Sequence, residues 1–351
     1  MSGKGTLPII KKSDDFQSRI DSFIDFQQVI GHQTTKRALE IAAAGEHHVL
    51  MSGPPGCGKS MLAESFPSIL PPLTKEAQLE VMSLYQLSGN EFPRGTMPPY
   101  RNPHHSASSI AMIGGGSYPK PGEISLAHHG VLFLDEIAEF PKKTLEMLRQ
   151  PFENGKITIS RTQARITYPS SFILIAAMNP CPCGHTGSDY HYCMCTKQQI
   201  LSYQNKISGP LRERFDIQLA LKPVNLISSN GKGWEASKVI RQRVEEARSR
   251  QYDRYGSEVC NSRVPYETLL KTNPLTAEQQ INLQQLAIKE NWSNRTQIKI
   301  IRLARTIADL QANTSISDKN IWHASKLNQL KQQSGDQSGD QSGDRHRSWT
   351  N

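Results

Sequence analysis

The sequence predicts an α/β fold: a parallel sheet with helices on its faces, followed by a smaller all-helical domain. Three observations predict it. The apolar runs HHVLMSG (47–53), GVLFLDE (130–136) and SFILIAAMN (171–179) are bounded by turn residues or polar groups and separated by longer segments. That spacing suits parallel strands joined by helical crossovers. After Pro223 the texture changes to long, charged stretches of helical period, WEASKVIRQRVEEARSRQYDRY (234–255) and RTQIKIIRLARTIADLQ (295–311). Finally, 351 residues are enough for a domain of about 200 and another of about 100.

Taken in order, residues 1–25 are polar, lack sustained periodicity and read as a disordered leader. Residues 26–223 carry the alternation of strands and helices. Residues 224–330 form the helical domain, in which Ile298, Ile301, Ala304 or Arg305, and Ala308 share a face. The tail, 331–351, contains SGDQ-like repeats with almost no apolar residues, cannot bury a core and is expected to be disordered. No apolar run approaches the roughly 18 residues a membrane helix needs, the longest being FILIAAM (172–178). No membrane partner is expected. MSGKGTLPIIKKSDD lacks the apolar core of a secretory signal, which favours the cytoplasm, where cysteines stay reduced. The net charge of +9 suits a polyanionic partner as well as it suits an ordinary basic protein.

Gly53-Pro54-Pro55-Gly56-Cys57-Gly58-Lys59-Ser60 fits G-x-x-x-x-G-K-[ST], between the run VLMS and the helical pattern that opens at Met61. Glycines let successive amides face a phosphate. Lys59 is expected to reach the β- and γ-phosphates of a bound nucleotide, and the Ser60 hydroxyl to ligate Mg²⁺. The strand VLFL delivers Asp135 and Glu136 to the carboxyl edge of the sheet. Asp135 would hold the magnesium through water and Glu136 would polarise the attacking water. Asn179 ends a neighbouring strand and could sense the γ-phosphate without altering local charge. In SGPLRERFD, Arg212 or Arg214 could reach a neighbouring subunit's site and stabilise charge on the transferring phosphoryl group. Arg295 starts a helix of the second domain and could link nucleotide state to its position.

Cys181, Cys183, Cys193 and Cys195 form C-x-C-x₉-C-x-C. Four thiolates could close on a structural Zn²⁺, with His185 and His191 as substitute ligands. Reduced free cysteines and a redox pair are the other readings. ENGKITISRTQARITYPS (153–170) alternates about RTQA as a hairpin does. Its Lys156, Arg161 and Arg165 could contact nucleic-acid phosphates, or simply face solvent. Residues 103–130 carry two His-His pairs around Gly114-Gly115-Gly116 and read as a shaped insert rather than a metal site.

The P-loop, LDE strand, Asn179 and two arginines, in this order, resemble an AAA+ ATPase. DFQQVIGHQTTKRALEIAAAG, NPHHSASSIAMIGGGSYPKPGEISLAHHGVLFLDE, LRQPFENGKITISR, AAMNPCPCG and LARTIADL resemble the magnesium chelatase-like ATPases of the ComM/YifB type, from residue 25 to about 312. The resemblance implies a P-loop AAA+ core with a helical lid in a homo-oligomeric, hexameric ring. It carries the trans finger onto Arg214 and the sensor-2 role onto Arg295, and sets Ile30 and Gly31 beside the adenine. It also implies a helicase-like branch-migration motor acting on DNA in natural transformation. Two alternatives are a chelatase-type ATPase remodelling a protein partner and a truncated nucleotide-binding paralogue without motor activity. Such proteins usually carry an N-terminal Lon protease-like domain. Here only about 25 residues precede the ATPase region, and the end diverges after ISDKNIW, so a truncated copy with an intact ATP site is expected.

Overall fold

The computed structural model describes residues 23–92, 95–116, 118–160, 165–188, 191–224 and 235–329. The leader up to residue 22, the SGDQ tail and Arg161 lie outside the described residues. Five strands, β1 (Val49–Ser52), β2 (Tyr100–Arg101), β3 (Val131–Leu134), β4 (Ile173–Met178) and β5 (Ile217–Ala220), form one sheet in the order β2-β3-β4-β1-β5. Every neighbouring pair is parallel. The carboxyl ends of β1, β3 and β4 therefore open on one edge, where Gly53, Asp135 and Asn179 follow them.

Side chains alternate across these strands, and both faces of the sheet are covered. Val49, Met51, Val131, Phe133 and Ile175 point to one face, Leu50, Leu132, Leu134, Leu174 and Ala176 to the other. The helices that matter to the site are α1 (Gln33–Gly45), α2 (Lys59–Ser65), α3 (Lys75–Ser88), α4 (Ser237–Tyr255), α5 (Asn294–Leu310) and α6 (Asp318–Leu327). On the first face α1, α4, α5 and α6 join the sheet in one continuous hydrophobic cluster. On the second, Val81, Leu84 and Tyr85 of α3 pack with Ile157, Ile159 and Tyr168 of an antiparallel hairpin, Lys156–Ser160 with Arg165–Pro169. Ser293 caps α5 by accepting from the Thr296 amide, and Ser317 and Asn320 form a capping box on α6.

The face of α5 that carries Ile301, Ala304, Arg305 and Ala308 is buried, and burial extends further around the helix. From Lys299 to Asp309 all its residues except Arg302 are buried, because α1, α4 and α6 enclose it on several sides. Arg305 is wholly buried and donates to Asp309, also wholly buried, at 2.9 Å. Asp309 also accepts from Arg254 and from the Asn261 amide. A buried charge of this kind is tolerated only when paired and hydrogen-bonded.

Candidate nucleotide site

The phosphate loop leaves β1 at Gly53. A Cβ there would stand 2.8 Å from both the Leu221 carbonyl oxygen and Cys57 Sγ, so only glycine lets the loop pass so close to the end of β5. Gly58, at φ 86°, turns the chain into α2. Lys59 folds back into the loop. Its Nζ donates to the Gly53 carbonyl at 2.6 Å, the Pro54 carbonyl at 2.9 Å and Asn179 Oδ1 at 3.2 Å. Burial draws the Lys59 pKa below the ordinary lysine value, against the opposing pull of Cys57 and Asp135.

Ser60 Oγ donates to Asp135 Oδ2 at 2.8 Å, and Asp135 Oδ1 accepts from the Glu136 amide at 2.9 Å. Glu136 adopts the left-handed region at φ 49°, a conformation that costs free energy and recurs at functional sites. Its carboxylate is half-exposed, with an oxygen 3.5 Å from His105 Nδ1. Lys59, Ser60, Asp135 and Asn179, read from three separate motifs, thus meet as two hydrogen-bonded pairs, Lys59–Asn179 and Ser60–Asp135, on consecutive residues of the loop. An ammonium resting on its own loop's carbonyls, and a hydroxyl sharing a carboxylate, are donor sets suited to a phosphate and a magnesium ion respectively.

Ile30 is exposed, Gly31 lies against Val224, and Met61 is exposed on α2. Two histidines of the site were not assigned to it from the sequence. His32 sits in the left-handed region at the start of α1, its ring hydrogen-bonded to the Cys57 backbone and next to Gly58. Burial draws its pKa below the usual histidine value. His105 reaches Glu136 from a segment read as an insert. Only its nearness to Pro103 in a polar stretch marked it as a loop residue able to point into a site. The two His-His pairs go different ways: His128 and His129 both meet Glu80, at 2.9 and 2.8 Å.

Arg214 and Arg295 do not join this group. They share a cleft of about 540 Å³ with Glu153, Asp216, Lys299 and Arg302. Arg214 pairs with Glu153, whereas Arg212 donates to the Gln204 carbonyl at 2.8 Å. His48 and Asp216, which precede β1 and β5, also line the cleft. It therefore opens at the amino-terminal edge of the sheet, across from the phosphate loop. Lys156 and Arg165 are exposed on the hairpin's outward face, opposite the buried Ile157, Ile159 and Tyr168. The sulfurs of Cys181, Cys183, Cys193 and Cys195 converge beside Asn179, all within 4.8 Å of one another.

Comparison with known proteins fits this geometry. Residues 25–228 match the family model described as magnesium chelatase, subunit ChlI, and residues 234–328 match that of its C-terminal region. The chain belongs to the magnesium chelatase ChlI family. Within that AAA+ family of ATPases, it is 43% identical over 304 residues to the uncharacterized protein YifB of Salmonella typhimurium, covering 86% of this chain and 59% of that one. It is 41% identical over 328 residues to YifB of Escherichia coli and 40% identical over 333 residues to the competence protein ComM of Haemophilus influenzae. Each of these covers 92% of this chain and 64% of the relative. The chain thus spans about three-fifths of the length of these curated relatives. Among the described residues no helix is long and apolar enough to cross a membrane.

Proposed function

We propose that this magnesium chelatase family member binds and hydrolyses ATP in a homo-oligomeric ring, hexameric as the sequence resemblance implies, and uses the energy to move DNA. The observation that carries the nucleotide reading is the pair of hydrogen bonds, Lys59 to Asn179 and Ser60 to Asp135, that gathers three motifs at the end of the phosphate loop. Lys59 exchanges its bonds to the loop carbonyls for the β- and γ-phosphate oxygens. Ser60 and Asp135 would hold magnesium, which when bound supplies charge neutralisation at the phosphates. Glu136 accepts a proton from the attacking water, with His105 able to orient its carboxylate. Asn179, already bonded to Lys59, orients that water from the next strand.

Arg214 and Arg295 act in trans in this reading. Because they share a cleft at the amino-terminal edge of the sheet, they meet the nucleotide of a neighbouring subunit, where Arg214 stabilises charge on the phosphoryl group. Ile30 and Gly31, which lead into α1 beside His32, contact the adenine. The DNA reading is supported by the +9 charge, by Lys156 and Arg165 on the outward face of the hairpin, and by the word competence in the name of the Haemophilus relative. A second reading, remodelling of a protein partner, is supported by the chelatase model that matches residues 25–228.

The test is ATP turnover with and without branched DNA, measured beside oligomer mass in a slowly hydrolysed ATP analogue. DNA stimulation that fades as salt rises supports the motor. Turnover indifferent to DNA at low salt, with a co-purifying protein partner, favours remodelling. Glu136→Gln should keep ATP bound while turnover falls by about 10² or more, whereas Lys59→Ala should weaken binding itself. Normal turnover in Glu136→Gln would remove the assigned role.

A further inference from the structure

The phosphate loop is touched from outside by the cysteine segment, and the geometry points to a four-thiolate Zn²⁺ knuckle that props it. Cys181, Cys183 and Cys193 have sulfurs 3.4, 3.7 and 3.6 Å apart, and Cys195 completes a set within 4.8 Å. Zinc bound at about 2.3 Å by four sulfurs spaces them about 3.8 Å apart. The sulfurs therefore stand at the spacing of a metal tetrahedron, and no pair among them is disulfide-bonded, which would bring it to about 2.0 Å. Four thiolates also fill every position of tetrahedral zinc, leaving none for water. The ion is therefore structural and not hydrolytic.

The ligands are seated by their surroundings. Cys181 is buried, and its sulfur accepts from the Thr186 amide at 3.3 Å. Thr186 Oγ1 lies 3.0 Å from Cys193 Sγ. Bonds of this kind orient thiolates around an ion.

What gives the knuckle a role is its neighbour. Gly184, between the two C-x-C pairs, sits at φ 82°, and a Cβ on it would stand 2.6 Å from Pro55 Cδ. The backbone of the knuckle thus presses on the middle of the phosphate loop. Two residues before Cys181, Asn179 holds Lys59 at the loop's end. Segment 179–184 therefore braces the loop at two points, and zinc fixes the segment. A preorganised loop binds its ligand more tightly than one that must be ordered.

This inference rests on the nucleotide reading for its second half only, so its test has two parts. The full chain, purified without a metal-binding tag, should carry about one zinc per molecule by mass spectrometry of metals. The Cys193→Ser, Cys195→Ser double variant should lose it. Reduced, metal-free wild-type protein should take up Co²⁺ with the absorption spectrum of a tetrahedral four-thiolate site, a readout that does not depend on whether the variant folds. Iron in place of zinc, or neither zinc nor that spectrum, would overturn the site. For the second part, zinc is withdrawn by a chelator under reductant, the chelator is removed and Mg²⁺ restored. Affinity for a fluorescent ATP analogue should then fall by about tenfold and recover when Zn²⁺ is returned. Unchanged affinity would overturn the brace. Zinc-loaded protein that binds no nucleotide would instead overturn the ATPase reading, leaving the metal stoichiometry intact.

Discussion

His48 leads into β1, and its Nδ1 accepts the Leu174 amide at 3.0 Å while its ring meets Phe152 edge-on. Burial holds its pKa at about 3, against the pull of Asp216. The unfolded chain, with a histidine pKa of about 6.5, takes up a proton that the folded state refuses. The contribution is complete above about pH 6.5 and is lost progressively as pH falls toward 3. The loss over that window is at most about 5 kcal/mol. His48→Asn keeps an oxygen acceptor for the amide and cannot titrate. Denaturant midpoints at pH 7 and pH 4.5 should therefore converge in the variant relative to wild type, and an equal drop in both would refute the assignment. At this scale Lys59, Ser60, Asp135 and Asn179 were legible because each stands at the end of an apolar run or in a fixed motif. His32 and His105 were not, because contacts made by folding, and a left-handed backbone at His32 and Glu136, leave no spacing in the chain.

The hairpin shows what alternation can and cannot reveal. Its register, Lys156 opposite Pro169 and Ser160 opposite Arg165, buries Ile157 and Ile159 and turns Lys156 and Arg165 outward together, as the pattern of KITIS and RITYP implied. Replacing both charges with alanine should weaken binding to duplex DNA. It should also flatten the salt dependence of log K by about 0.9 for each phosphate that is no longer neutralised, while basal ATP turnover stays as it was. Titrations at several salt concentrations check this, and an unchanged slope would take the hairpin out of the interface. β1, β3 and β4 were readable as continuous apolar runs because a strand covered on both faces has no polar side. β2 spans only Tyr100–Arg101, and β5, at the opposite edge with Ala220 exposed, has no such run. In α5 burial extends beyond the face read from the pattern, because Arg305 and Asp309 neutralise one another in the interior and charged letters stand for buried positions.

For the whole molecule, the phosphate loop and the Arg214–Arg295 cleft open on opposite edges of one parallel sheet. A ring built by one repeated contact sets one edge of each subunit against the other edge of the next. Lys59→Ala chains would keep the arginines and lose the loop; Arg214→Ala chains would do the reverse. Each alone should be nearly inactive. Mixed in equal amounts and allowed to exchange, they should regain a measurable share of ATP turnover at boundaries that combine the two intact halves. Absence of any recovery in verified mixed rings would place each site within a single chain. This division between edges follows from the strands all running parallel, which sets residues before β1 and β5 at one end of the sheet and residues after β1, β3 and β4 at the other.

Two buried donors hold the approach to β5. Lys299 Nζ donates to the Phe215 carbonyl at 2.7 Å, and Asn328 to that of Asp216 at 2.8 Å. Arg295 lies one helical turn from Lys299, and Arg214 is adjacent to Phe215. Arg214 and Arg295 therefore stand on segments tied together by the Lys299–Phe215 hydrogen bond.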